Sequence, residues 1–341
     1  MTDSPHPAQT APSAPTGNPE ASTQAVSPAP EQRPDPTPTP GPVGGAQQRH
    51  LVDADWLHVR LGNPDLVLVD ATSHISPNDQ GTYGNRGRAV YTAGHIPGAV
   101  YADLLDDLND PSPYMFMLPS AEKFAAAAGR LGIGPSRQVV IYDQGGTAET
   151  PEASVWAARL WWQLRYEGYD EVAVLAGGYR NWVARGLPVR AGSEQNASRT
   201  FPSARRPRLA ADRHEVLAAI GDPATLLVDS RSEAAYRGSI DRPYRAGHVP
   251  GARNLDARTL VDAHSGEPLP TARIQTAMRK VGALDDSAGR RTIFYCGGGV
   301  SATWNALSLA AAGGPDAAVY DGSMLEWATQ PALPLTLGPE A

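Results

Sequence analysis

One cysteine in 341 residues excludes an internal disulfide, so packing and hydrogen bonding must hold this chain together. A lone thiol suits a reducing compartment, and a cytoplasmic setting is the expectation. No run approaches the roughly 18 apolar residues of a membrane span. The opening MTDSPHPAQT has neither a basic n-region nor an apolar h-region, so neither a membrane partner nor secretion is expected. Positive charge is scarce too: 29 Lys and Arg against 36 Asp and Glu give −7, which removes global attraction to nucleic acid. Large apolar side chains are nearly missing from residues 1–48, where Pro, Ala, Ser, Thr and Gln dominate. Such a segment buries too little surface to offset its ordering entropy and is expected to be disordered.

From Leu51 the pattern changes. Short apolar runs, LVLVD (66–70), QVVIYD (138–143) and VAVLAGG (172–178), alternate with helical stretches at 119–133 and 154–169. Buried strands alternating with helices imply an α/β fold, a parallel sheet with helices on both faces. The same order then returns. TLLVDS (225–230) matches LVLVDA, AGHVPGA (246–252) matches AGHIPGA (93–99), and RTIFYC (291–296) matches QVVIYD. His95 to His248 and Asp143 to Cys296 are both steps of 153 residues. This is a duplication: domains at 49–190 and 209–337, joined by a polar linker at 191–208.

The halves differ where chemistry belongs, beyond the carboxyl ends of the strands. One carries Cys296-Gly297-Gly298-Gly299-Val300-Ser301-Ala302, and the other Asp143-Gln144-Gly145-Gly146-Thr147. Glycines after a strand let the backbone turn with positive φ and aim successive N–H groups inward. With the start of the next helix they form an anion cradle. A thiol inside it is expected to be held as thiolate, its pKa falling from about 8.5 toward roughly 3.5–7.5. The alternative for a single buried cysteine is inert packing.

The AGHIPGA and AGHVPGA pair, the strand–Cys–loop–helix and YDGSMLEW (320–327) together resemble the rhodanese superfamily, in particular tandem-domain thiosulfate and 3-mercaptopyruvate sulfurtransferases. The resemblance covers roughly residues 50–337. It implies a catalytically silent first domain and a second domain whose Cys296 thiolate takes sulfur from a small-molecule donor. The resulting persulfide passes that sulfur to a thiol or cyanide, covalent catalysis without metal or organic cofactor. Residues 297–302 would surround the substrate. Family members carry basic residues or a serine within this loop, where this chain has Gly297 and Gly298. An arginine usual before the aromatic of the segment after LVDSR is replaced by Ala235, leaving Arg237, Arg242 and Arg245 as candidate anion binders. The resemblance also implies a proton-relay role at the domain interface for His95, although its serine partner is missing and its acidic partner is not fixed among Asp79, Asn85 and Arg86. The residues alone read His95 and His248 as fixing the turns before Pro97 and Pro250, and Asp70 and Asp229 as holding loop backbone. Two other functions compete. A cysteine phosphatase needs an arginine six positions after the cysteine, where Ala302 stands. A sulfur-carrier module would receive sulfur from a protein partner without turnover.

Overall fold

The computed structural model describes residues 49–77, 83–240, 244–284 and 289–339. The first half contains strands β1 (Leu51–Val52), β2 (Leu66–Asp70), β3 (Ile75–Pro77), β4 (Tyr83–Asn85), β5 (Ala99–Tyr101), β6 (Gln138–Tyr142) and β7 (Val172–Leu175). Its helices are α1 (Ala54–His58), α2 (Gly87–Ala93), α3 (Ala121–Arg130), α4 (Val155–Tyr166) and α5 (Gly178–Ala184). The second half has strands β8 (Ala210–Ala211), β9 (Thr225–Asp229), β10 (Arg253–Asn254), β11 (Arg291–Tyr295) and β12 (Ala318–Tyr320). Its helices are α6 (Arg213–Ala218), α7 (Glu233–Tyr236), α8 (Thr271–Lys280), α9 (Ser301–Ala311) and α10 (Ser323–Trp327). Among the described residues no helix is long and apolar enough to cross a membrane.

Each half is a five-stranded parallel sheet, in the orders β1-β7-β6-β2-β5 and β8-β12-β11-β9-β10. Strand for strand the topologies are identical, as the duplication requires. Alternation sorts the side chains of β2 and β6: Val67, Val69, Val139 and Ile141 face one core, while Leu68, Val140 and Tyr142 face another with Leu57 and Trp182. Helix starts follow local chemistry. Ser120 Oγ accepts the Lys123 amide to open α3, and Asp212 with Glu215 forms a reciprocal capping box on α6. The antiparallel pair β3–β4 and the short helices α2 and α7 were not evident from periodicity.

Helix α4 differs from an ordinary surface helix. All but its last residue is buried, because α4 packs against α9 of the other half. A single core therefore runs through both halves and includes Val69, Trp156, Trp304 and Cys296. The polar stretch 191–208 does not hang free. Phe201 is buried against Phe124 and Tyr169. The amides of Arg199, Ala204 and Arg206 donate to the carbonyls of Gly129, Glu167 and Tyr166.

Candidate active site

Strand β11 is the middle strand of its sheet, and Cys296 is the first residue beyond its carboxyl end. The chain then turns through 297–300 into α9. Of the three glycines, one has the left-handed backbone expected of all of them: Gly299, at φ +74°. A Cβ there would run into the Asp321 carbonyl. Gly298 is closely covered, a Cβ there lying 3.0 Å from Leu325 Cδ1 and 3.5 Å from Phe116 Cδ2, so a side chain would press on Leu325. Gly297 is constrained by neither. The Cys296 amide donates to Ser323 Oγ at 3.1 Å, and the Cys296 carbonyl accepts the Met324 amide. Ser323 itself is held at φ +47°, which is uncommon for a residue with a side chain.

The amides of Ala302 and Gly298 hydrogen-bond the Cys296 sulfur, so the cradle donors are present. Their pull on the thiol pKa is outweighed. Burial pushes the Cys296 thiol above its ordinary range, and the carboxylates of Glu149 and Asp229 push in the same direction. The expectation of a thiol ionised by its cradle is therefore reversed in the free protein. Cys296 is 3% exposed, and water that would solvate a thiolate is excluded.

The first half builds the roof. Phe116, at φ +64°, lies against Gly298 and packs edge-on to Trp156. The buried Arg159 of α4 donates to the Gly299 carbonyl at 3.0 Å, to Asp321 Oδ1 at 2.5 Å and to the Phe116 carbonyl. Asp321 also accepts the Leu118 amide at 2.7 Å. Thr150 Oγ1 lies 3.4 Å from Ser301 Oγ, which places the 144–150 loop, Glu149 included, beside the cysteine loop.

The first half's own cradle is filled. Asp143, the counterpart of Cys296, accepts the amides of Gly145, Trp156 and Ala157 with its carboxyl group. Burial pushes that carboxyl up to about 7 against the pull of these amides. Gln144 donates to Asp70 Oδ2 and to the Gly94 carbonyl. In the second half Arg231 performs both tasks, donating to Asp229 Oδ2 and to the Gly247 carbonyl. Because Arg231 supplies this brace, the residue after Cys296 is free to be Gly297.

The family model described as "Rhodanese-like domain" matches twice, at residues 53–185 and 212–330. The chain belongs to the rhodanese family. It is 32% identical over 292 residues to the 3-mercaptopyruvate sulfurtransferase of Escherichia coli K12, covering 83% of this chain and 96% of that one. It is 36% identical over 284 residues to the thiosulfate sulfurtransferase of Gallus gallus, covering 82% and 93%. The crystal structure of SseA from Escherichia coli superimposes with a TM-score of 0.69 at 31% identity, covering 81% of this chain and 98% of SseA. By this membership the chain is a sulfurtransferase with two rhodanese domains.

Other residues singled out in this rhodanese sequence lie elsewhere. Arg237 pairs with Glu233 at 2.5 Å and lines a groove of about 790 Å³ that none of residues 296–302 borders. Arg245 spends its fork on the carbonyls of Ala328, Gln330 and Leu333, which fixes the chain after α10. Arg242 and Asp79 fall outside the described residues. His95 is buried, with Nδ1 on the Tyr91 carbonyl, its ring stacked on Tyr91 and Nε2 3.9 Å from Glu194. His248 repeats this arrangement on Tyr236. Among the described residues the contacts of His95 lie within the first half and the 191–208 stretch, a geometry that fixes the turn before Pro97. Asn85 braces the turn into α2 through the amides of His74 and Gly87. Asp70 and Asp229 accept the amides of Thr72 and Arg231, two residues on. Sequence reasoning missed Arg159, Phe116, Glu149 and Asp321, which converge on the loop from up to 180 residues away (Cys296 against Phe116). The run VWAARLWW, apolar on all sides except for one arginine, was the available signal for Arg159.

Proposed function

We propose that this sulfurtransferase carries sulfur as a Cys296 persulfide and prefers 3-mercaptopyruvate to thiosulfate as donor. The observation behind the carrier role is the placement of the chain's single thiol at the carboxyl end of β11, with the Gly298 and Ala302 amides on its sulfur. In the first step the thiolate attacks the donor sulfur. The bond from that sulfur to the rest of the donor breaks, and its electron pair leaves with the fragment. From 3-mercaptopyruvate this fragment is the pyruvate enolate, which takes up the proton released by the donor thiol. From thiosulfate it is sulfite. In the second step a thiolate or cyanide attacks the outer sulfur, the S–S bond breaks, and Cys296 regains its electron pair. Residues 297–302 line the substrate, and the cradle amides stabilise the negative sulfur as it forms.

Charge supports the donor preference. The loop holds no cation, and the Glu149 and Asp229 carboxylates already raise the cost of negative charge at the sulfur. A dianion meets more repulsion there than a monoanion. The first rhodanese domain is silent because Asp143 occupies its cradle. A lone nucleophilic thiol fits a reducing compartment, which supports a cytoplasmic setting. Thiocyanate formation from cyanide tests the proposal. Wild type is expected to show at least tenfold higher kcat/KM with 3-mercaptopyruvate than with thiosulfate, and Cys296→Ser none with either. A thiosulfate preference would overturn the donor assignment, and turnover by Cys296→Ser the carrier role.

A further inference from the structure

Ser230 follows β9 as Cys296 follows β11. The strands run parallel with Asp229 opposite Tyr295, and the Ser230 amide extends the ladder by donating to the Tyr295 carbonyl at 2.7 Å. Alternation puts Leu226, Val228, Phe294 and Cys296 on one face of the sheet and Leu227, Ile293 and Tyr295 on the other. Ser230 therefore shares the face of Cys296, on the neighbouring strand, roughly 4.8 Å away across the ladder. Ser230 is 1% exposed, and its Oγ has no hydrogen-bond partner among the described residues. Burying an unpaired hydroxyl costs of order 1–3 kcal/mol, so such a group in a native core calls for a reason.

The duplicated half supplies the control. Beside Asp143, on the equivalent face, stands Ala71, whose amide donates to Tyr142 as that of Ser230 does to Tyr295. A methyl group thus fills this position of the fold, and the hydroxyl is found in the half that holds the thiol. The other hydroxyls at the site are engaged. Ser323 Oγ accepts the Cys296 amide and gives its proton to the Tyr320 carbonyl, while Ser301 Oγ faces Thr150.

We infer that the Ser230 hydroxyl is a further catalytic group of this site, donating a hydrogen bond to the sulfur on Cys296 once that sulfur is negatively charged, as thiolate or as persulfide. The proton stays on the serine oxygen throughout, and no bond is made or broken at Ser230. While the thiol is neutral its sulfur is only a weak acceptor, which accounts for the orphaned state of the hydroxyl. The inference rests on the sulfur-transfer reading for its persulfide part alone. The charged groups that act on the sulfur or its loop are Glu149 from the first half, Asp229 on the opposite face of the sheet and paired with Arg231, and the buried Arg159–Asp321 pair at the Gly299 carbonyl.

Ser230→Ala tests it, since Ala71 shows that the fold accepts alanine there. The rate of Cys296 alkylation by iodoacetamide is followed against pH. The half-rate pH of Ser230→Ala should rise by about one unit, a tenfold weaker acid, the lower end of what a hydrogen bond to a charged group contributes. The denaturation midpoint should be equal to or above that of wild type, and Ser230→Thr, which keeps the hydroxyl, should retain the wild-type profile. Coincident profiles for wild type and Ser230→Ala would overturn the inference, as would a shift in Ser230→Ala that Ser230→Thr reproduces. The persulfide, detected as one added sulfur by intact mass, should discharge faster from Ser230→Ala than from wild type. Failure of wild type to load any sulfur would sink the sulfur-transfer reading, while the alkylation profiles would still decide the hydrogen bond.

Discussion

At the scale of single residues, Cys296 is governed by two opposed effects. Amides from Gly298 and Ala302 favour the thiolate, while burial and the Glu149 and Asp229 carboxylates disfavour it. Burial wins in the free protein. The thiol is then protonated at neutral pH, and its thiolate fraction climbs about tenfold per pH unit until the raised pKa is passed. Alkylation of the free enzyme should keep accelerating through pH 8 to beyond 9; a plateau below pH 8 would show that the cradle outweighs burial. Gly299→Ala should cost about 1–3 kcal/mol of stability for the left-handed backbone and lower kcat by roughly 100-fold, because the loop must shift away from the Asp321 carbonyl and take its amides with it. Denaturation and steady-state kinetics on the same variant read the two effects. The sequence made Cys296 legible as the proposed nucleophile, through the glycines after a buried strand. It could not reveal the direction of the pKa, which is set by dryness and by Glu149, a residue 147 positions away.

At the scale of elements, α4 does most to shape the site. Its Arg159 ties the Gly299 carbonyl, Asp321 and the Phe116 carbonyl into one buried network joining both halves. Removing one partner of such a pair strands the other charge, so Arg159→Met should lose about 3–5 kcal/mol. Adding Asp321→Asn to that variant should recover part of the loss. A urea midpoint for Arg159→Met equal to wild type would contradict the network. The strands β2, β6, β9 and β11 and the helices α3 and α4 were readable because apolar period and length agreed. The Phe116 segment and the β3–β4 pair were not, since their conformations depend on contacts made across the molecule rather than on local pattern.

At the scale of the whole molecule, the duplication explains why the two halves share one sheet topology. Two equal sheets were evident from the 153-residue register; their fusion into one core through α4 and α9 was not, because no local motif encodes which helix faces are shared. Asp143 carries a pH signature of the first half. Its carboxyl is pushed up to about 7, whereas in the unfolded chain it ionises near the ordinary value of 3.8. Between those values the folded state holds a proton that the unfolded state has released, so this group makes stability fall as pH rises from about 4 to 7. Asp143→Asn should flatten that slope in urea melts and leave kcat/KM within about twofold. A large loss of activity would mean that the first domain takes part in the chemistry.

The central claim, that Cys296 carries the sulfur, is tested most directly by peptide mass spectrometry after one equivalent of 3-mercaptopyruvate. The account predicts one added sulfur on the peptide containing Cys296, removed on adding cyanide with matching thiocyanate release. Thiocyanate released at the normal rate while that peptide stays unmodified throughout would contradict it.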